Sequence, residues 1–282
     1  MRQGLQRKAH RKAIGAFRGL GAESPVFLSA ARTKKGARGT GFEILGRKIP
    51  VREGMGMENE ASFTEGVRLF RNKRYEAALK EFLELETGEG EYPELSYYLG
   101  LCYTHLEKYD EALLYLEQVV ASGEGLIHLY QGRMILGVIY AITRRYRLSE
   151  FEFRKLLEDG FESAKVYSAL AYTLFFQKKP DESIVFLEKA LELEDDNANA
   201  LNSFGYILAE ENTRLAAARK YCERAVEKNP RNPAYLDSLG WVYYRIGNLK
   251  DARMLLRKAL EYAPRNKEIL FHLRTVMEAM EK

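Results

Sequence analysis

"DSLGWVYYRIGNLKDARMLLRKALEYAPRN", residues 237–266, decides how the rest of the chain is read. Apolar residues recur at helical spacing from Leu239 to Ile246 and again from Leu249 to Leu260. The pair Gly247-Asn248 separates the two stretches, and Pro264 follows the second. Such punctuation marks two helices of about three turns joined by a tight turn.

The same unit recurs upstream. A small residue stands in one context at Gly66, Gly100, Gly137, Ala171, Gly205 and Gly240, with steps of 34, 37, 34, 34 and 35. A second small residue follows at Ala78, Ala112, Ser149, Ser183, Ala218 and Ala252, with steps of 34, 37, 34, 35 and 34. The shift between the two series places a one-residue insertion between Gly205 and Ala218. The step of 37 puts three extra residues in the loop around Ser122–Gly125.

Other slots keep phase. Tyr75, Tyr109, Tyr146, Pro180, Leu215 and Leu249 stand three residues before the second small residue. Phe82, Leu116, Phe153, Leu187, Cys222 and Leu256 stand four after it. Leu85, Val119, Leu156, Ala190, Ala225 and Ala259 come three further on. A small residue lets the partner helix approach, and the bulky slots fill the space between neighbours. No unit buries its apolar face alone, so the units must stack.

This pattern resembles the tetratricopeptide repeat, most closely its bacterial members in the last two units. The resemblance implies an all-α fold, a right-handed superhelical solenoid of about six helix-turn-helix units. The units fall at about 59–92, 93–129, 130–163, 164–197, 198–232 and 233–266. Ser149, Ser183 and Pro180 depart from the pattern in the third and fourth units. Residues 267–282 read as a capping helix with an apolar stripe at Leu270, Leu273, Met277 and Met280.

Charge separates the first 57 residues from the rest. They hold 13 of the 44 Lys and Arg but 3 of the 40 Asp and Glu, leaving 31 basic and 37 acidic residues beyond. The overall charge of +4 is therefore no sign that the repeats bind nucleic acid. Residues 1–57 are rich in Gly and Arg, lack periodicity and hold too little apolar content for a core. They read as a basic disordered tail, or as sequence ahead of a start at Met55 or Met57. Anion or nucleic-acid binding through Arg7, Lys8, Arg11, Lys12, Lys34 and Lys35 is the minor alternative there. No signal-peptide pattern is evident, which points to the cytoplasm; a transit peptide is the other reading of an Arg-rich, acid-poor start. No stretch approaches the length of a membrane-spanning helix.

Chemistry is hard to find. The four histidines, His10, His105, His128 and His272, are scattered and show no metal-ligand spacing. Cys102 and Cys222 sit far apart in apolar patterns and read as reduced core thiols. No phosphate loop or nucleophile elbow occurs. The expectation is a non-enzymatic chain with no cofactor and no metal.

The resemblance implies that the first helix of each unit lines a concave groove. Carried over slot by slot, the groove holds Phe63, Phe70, Tyr97, Leu101, Tyr172, Phe175, Phe176, Asn202, Tyr206, Trp241, Tyr244 and Arg245. The family's chaperone-binding members hold a terminal carboxylate with Lys, Asn and Arg at such slots. Here Phe63, Val67, Leu101 and Met134 stand there, which argues against that mode. Large rings supply much buriable area to a helical or extended peptide. The expected function is a scaffold or adaptor that binds a protein or peptide partner. The alternatives are a self-associating assembly factor whose groove holds a second copy, and sideways packing of these rings between units.

Overall fold

The computed structural model describes residues 57–85, 93–123 and 125–281; the expectations for residues 1–56 lie outside the described residues. Among the described residues thirteen helices form, in the order α1 (Met57–Arg71), α2 (Tyr75–Leu83), α3 (Pro93–His105), α4 (Tyr109–Ser122), α5 (Leu126–Ile142), α6 (Tyr146–Glu158), α7 (Ala164–Phe176), α8 (Pro180–Leu193), α9 (Ala198–Glu210), α10 (Leu215–Lys228), α11 (Pro233–Ile246), α12 (Leu249–Tyr262) and α13 (Lys267–Met280). Two compact units divide the chain within α5, one ending at Ile139 and the other beginning at Tyr140.

Each short turn inside a pair is made the same way. One residue enters the left-handed region: Lys73, Glu107, Arg144, Lys178, Asn212 and Gly247. The next amide then reaches back five residues, as in Lys179 N to Leu174 O (3.0 Å) and Asn248 N to Tyr243 O (2.9 Å). This reach satisfies a carbonyl that the helix end would otherwise orphan. Only the last of the six turns has glycine at the left-handed position. The inserted residue after Gly205 lies in the α9–α10 turn, where Arg214 takes a second left-handed conformation (φ 45°). The three extra residues near Ser122 go elsewhere than expected. They add an N-terminal turn to α5, which has 17 residues against 13 in α3.

Helix starts follow local chemistry. The side chains of Ser163, Asn197, Asn232, Asn248 and Asn266 each accept a backbone N–H of the first turn that follows. Pro180 opens α8, where a missing N–H costs nothing.

The small residues do what the period demands. A methyl on Gly205 would lie 2.7 Å from the Ala218 carbonyl and crowd Cys222, so α9 and α10 touch backbone to side chain. Gly240 stands in the same relation to Leu256, Gly66 to Phe82 and Gly100 to Leu116. The bulky slots Phe82, Leu116, Phe153, Leu187, Cys222 and Leu256 are all buried. Each large one contributes on the order of 2 kcal/mol. Serine at the second small slot is accommodated because its hydroxyl finds a partner. Ser183 Oγ donates to Ala171 O (2.7 Å), and Ser149 Oγ shares a hydrogen with Thr173 Oγ1 (2.9 Å).

The last helix corrects one expectation. Leu270 is exposed, and the buried stripe of α13 runs through Ile269, His272 and Val276. Ile269 packs with Leu236, Leu256 and Ala259, with Leu273 and Met280 at the edge of that cluster. Docking against α11 and α12 turned the face by one residue and brought two polar side chains, Glu268 and His272, inside.

Candidate partner-binding face

In the unit ending at Ile139, the groove slots serve packing between successive helices. Phe63 is buried against Phe82 and Tyr98, with ring centroids 5.7 Å away in both cases. Phe70 is half-buried among Tyr75, Tyr98 and His105. Tyr97 is buried, stacks on His128 at 4.6 Å and donates its hydroxyl to Gln131 Oε1 (2.7 Å). Leu101 is buried as well. Phe63, Val67, Leu101 and Met134, the slots a carboxylate clamp would need, are all buried apolar side chains. Cys102 is buried nearby, and burial pushes its thiol up to about 12.

The unit from Tyr140 onward carries a more polar face, built from one pair of positions per helix. The pairs are Ser168 and Tyr172 on α7, Asn202 and Tyr206 on α9, Asp237 and Trp241 on α11, and Glu268 and His272 on α13. Each pair is spaced i, i+4 and so shares a helix face. Trp241 is buried between rings: His272 lies 4.2 Å from it and Tyr244 4.8 Å. Its Nε1 donates to Glu210 Oε1, and Arg245 Nη2 donates to the Glu210 carbonyl (3.4 Å). His272 Nδ1 lies 2.8 Å from Asp237 Oδ1, with both side chains buried.

Carboxylates gather round Tyr206. Burial raises its phenol well above the usual tyrosine range, and Glu210, Glu268 and Asp237 add to the effect. Tyr172 is raised too, first by burial, then by Tyr146 and Glu268, against Arg144. Tyr172 also packs on Phe176 at 4.6 Å, and Phe175 meets Tyr206 edge-on at 6.4 Å. Asn202 is buried and its Oδ1 has no hydrogen-bond partner.

Of the twelve sequence-derived slots, Phe63, Tyr97, Leu101, Phe176, Asn202 and Trp241 are buried. Phe70, Tyr172, Phe175, Tyr206, Tyr244 and Arg245 keep partial exposure. Sequence reasoning did not include Glu268 and His272. Carrying the Asp237/Trp241 slot one period of 34 residues on lands on Phe271 and Thr275, so the repeat itself did not point to Glu268 and His272, which lie 31 residues on.

Three stretches match tetratricopeptide-repeat family models: residues 59–127, 164–197 and 234–263. The chain carries tetratricopeptide repeats. A tetratricopeptide repeat-containing protein of Pseudomonas aeruginosa is 38% identical over 121 residues, which is 42% of this chain and 20% of that protein. One of Methanocaldococcus jannaschii is 26% identical over 231 residues, 76% of this chain and 38% of that protein. The chain thus spans well under half the length of these curated relatives. The Pseudomonas relative agrees with the bacterial character of the repeats. A solved tetratricopeptide repeat protein of Parabacteroides merdae superposes with a TM-score of 0.63 at 15% identity, covering 78% of this chain and 85% of that one. The fold is therefore an all-α repeat solenoid. Tetratricopeptide repeats are scaffolds for protein–protein interaction and generally have no catalytic role. No helix among the described residues is long and apolar enough to cross a membrane, and none of their His, Cys, Asp or Glu side chains group as a metal site would need.

Proposed function

We propose that this chain is an adaptor that holds a partner polypeptide against the first-helix faces of its repeats. In this reading residues 58–266 are six units and α13 closes the last apolar face. The observation that carries it is the set of rings and polar groups on one side of α7, α9, α11 and α13. Tyr172, Tyr206 and Trp241 recur at steps of 34 and 35, His272 follows 31 residues on, and Asn202, four residues before Tyr206, keeps a buried acceptor. Rings of this size anchor a peptide by burial, and a polar atom with an open valence fixes its register.

Affinity capture from the source cells tests it, with the full chain as bait. Phe175→Ala and Tyr244→Ala each remove a partly exposed ring and are expected to lose co-purifying protein while helicity stays intact. Capture of the same proteins in the same amounts by both variants would remove this face from the account.

Self-association is the second reading. Phe151, Val185 and Met254 expose large apolar side chains on the second helices of their pairs, at 52%, 48% and 59%. Light scattering across a concentration series separates the two readings. A constant monomer mass excludes self-association, and a rising mass supports it.

A further inference from the structure

Two successive second helices, α10 and α12, treat their cations differently. On α10 they are paired: Arg219 with Glu223 of the same helix (3.5 Å), and Arg224 and Lys228 with Asp196 of the α8–α9 turn. One period on, both carboxylates have become arginines. Arg257 stands at the slot of Glu223, and Arg231, just before the Asn232 cap, at the slot of Asp196, just before the Asn197 cap. Arg253 and Lys258 keep the slots of Arg219 and Arg224, so the cations stay and their partners are gone. Among the described residues, none of Arg231, Lys250, Arg253, Arg257 and Lys258 has an ion-pair partner. Like charges at i, i+4, as in Arg253 and Arg257, oppose the helix that carries them. The substitutions therefore do not serve the fold. They also run against the body beyond residue 57, where 37 acidic residues outnumber 31 basic ones.

Lys250, Arg253, Met254, Arg257 and Lys258 follow i, i+3, i+4, i+7 and i+8 and share one face of α12. The opposite face, with Ala252, Leu256 and Ala259, is buried in the core. Met254 is 59% exposed amid the cations, and Tyr262 is 43% exposed one turn beyond Lys258. The α10 contacts show which group satisfies these slots: a carboxylate, held by charge-assisted hydrogen bonds. Met254 adds a demand for an apolar side chain, which a phosphate backbone does not supply. A membrane would find little to take in, because α12 already buries its apolar face inside the protein.

We propose that the outer face of α12 is a second docking surface, which takes an acidic polypeptide segment carrying an apolar side chain among its carboxylates. The carboxylates pair with Arg253, Arg257 and Lys258, replacing the partners that Glu223 and Asp196 provide one repeat earlier. The apolar side chain lies on Met254. This surface is independent of the first-helix face, so Phe175→Ala and Tyr244→Ala leave it intact.

Fluorescence anisotropy with the full chain tests it. The probes are two labelled peptides of equal length, one built of Glu and Leu, the other of Glu and Ser. The Glu–Leu peptide is expected to bind more tightly than the Glu–Ser peptide, and Met254→Ser is expected to erase the difference. Arg257→Glu with Lys258→Glu is expected to weaken binding of the Glu–Leu peptide at least about tenfold. Arg147→Glu with Lys220→Glu makes the same change in charge at exposed sites on α6 and α10 and is expected to leave binding unchanged. All these side chains are exposed, and circular dichroism confirms that each variant keeps its helicity. Failure of both peptides to bind overturns the inference, as does an equal loss in the Arg147/Lys220 variant, which would reduce the effect to net charge. Tighter binding of single-stranded RNA or phosphatidylserine vesicles, lost in the Arg257/Lys258 variant, would assign the face to phosphates instead. A mass that rises with concentration in light scattering, and stays monomeric in that variant, would assign it to a second copy. Either result also overturns the inference.

Discussion

Asp237 and His272 are 35 residues apart in sequence, and their side chains meet at 2.8 Å with both almost wholly buried. The contact ties α11 to α13 beneath the ring of Trp241, which stacks on the same imidazole. Removing His272 leaves a buried carboxylate without that donor and leaves the indole without one stacking partner. His272→Ala is expected to cost about 3 kcal/mol in urea unfolding. A cycle with Asp237→Asn is expected to show strong coupling between the two. Additive losses would mean that the pair contributes nothing as a pair.

Two glycines give opposite expectations. Gly205 sits where an added methyl meets the Ala218 carbonyl at 2.7 Å, and a backbone atom cannot step aside. Gly205→Ala is expected to destabilise by roughly 2 kcal/mol through overpacking. Gly132, within α5, has only valine methyl and methine carbons at 3.5 Å or beyond, an ordinary contact distance. Gly132→Ala is expected to stabilise by about 0.5–1 kcal/mol, since glycine is the poorer helix former. Thermal unfolding of both variants checks the pair, and equal shifts in one direction would contradict the packing.

The period was legible because every unit needs the same close approach and the same plug. Gly205 against Cys222 and Gly240 against Leu256 are that requirement written in residue types. The turns were legible as turns, but their left-handed residues were not. Lys73, Glu107, Arg144 and Lys178 carry no mark of that conformation, because the turn is imposed by the helices it joins. The candidate face was legible for its rings and incomplete for its charges. Glu268 and His272 read as the solvent side of a terminal helix. Their burial depends on contacts with α11, made some 30 residues earlier in the chain, which no local pattern reports. The rings at Phe63 and Tyr97 occupy the expected slots, yet neighbouring helices cover them, since a slot does not specify what packs over it.

Lys178 ends α7 at φ 64°, with its own amide bonded to Phe175 O and the next to Leu174 O. A side chain in this region costs about 1 kcal/mol that glycine does not incur. Lys178→Gly is expected to raise stability by roughly 0.5–1 kcal/mol, despite the added freedom of glycine in the unfolded chain. Substitution by valine, whose branched Cβ tolerates the region worst, is expected to lower it. Denaturant midpoints of the two variants on opposite sides of the native chain would bear this out.

Glu150 joins three elements of the second unit. Its carboxylate accepts from Arg154 Nε (2.8 Å) on its own helix α6, from Gln177 Nε2 (2.7 Å) at the end of α7, and lies 3.5 Å from Lys179 Nζ ahead of α8. Burial alone would raise its pKa, but the bonds from Arg154 and Gln177 and the nearby cations outweigh that and lower it from the ordinary 4.5. A carboxyl held low in the folded state stabilises the fold above its unfolded value. That contribution is lost as pH falls below 4.5 and through the folded value. Glu150→Gln is therefore expected to cost about 1 kcal/mol near neutral pH. The deficit should shrink as the native chain is acidified, because the native carboxyl becomes neutral too. Urea unfolding of both chains at neutral pH and near pH ~3 decides it, where an ordinary Glu is mostly protonated. A deficit that stays constant across that range would show that the charge of Glu150 contributes nothing to the fold.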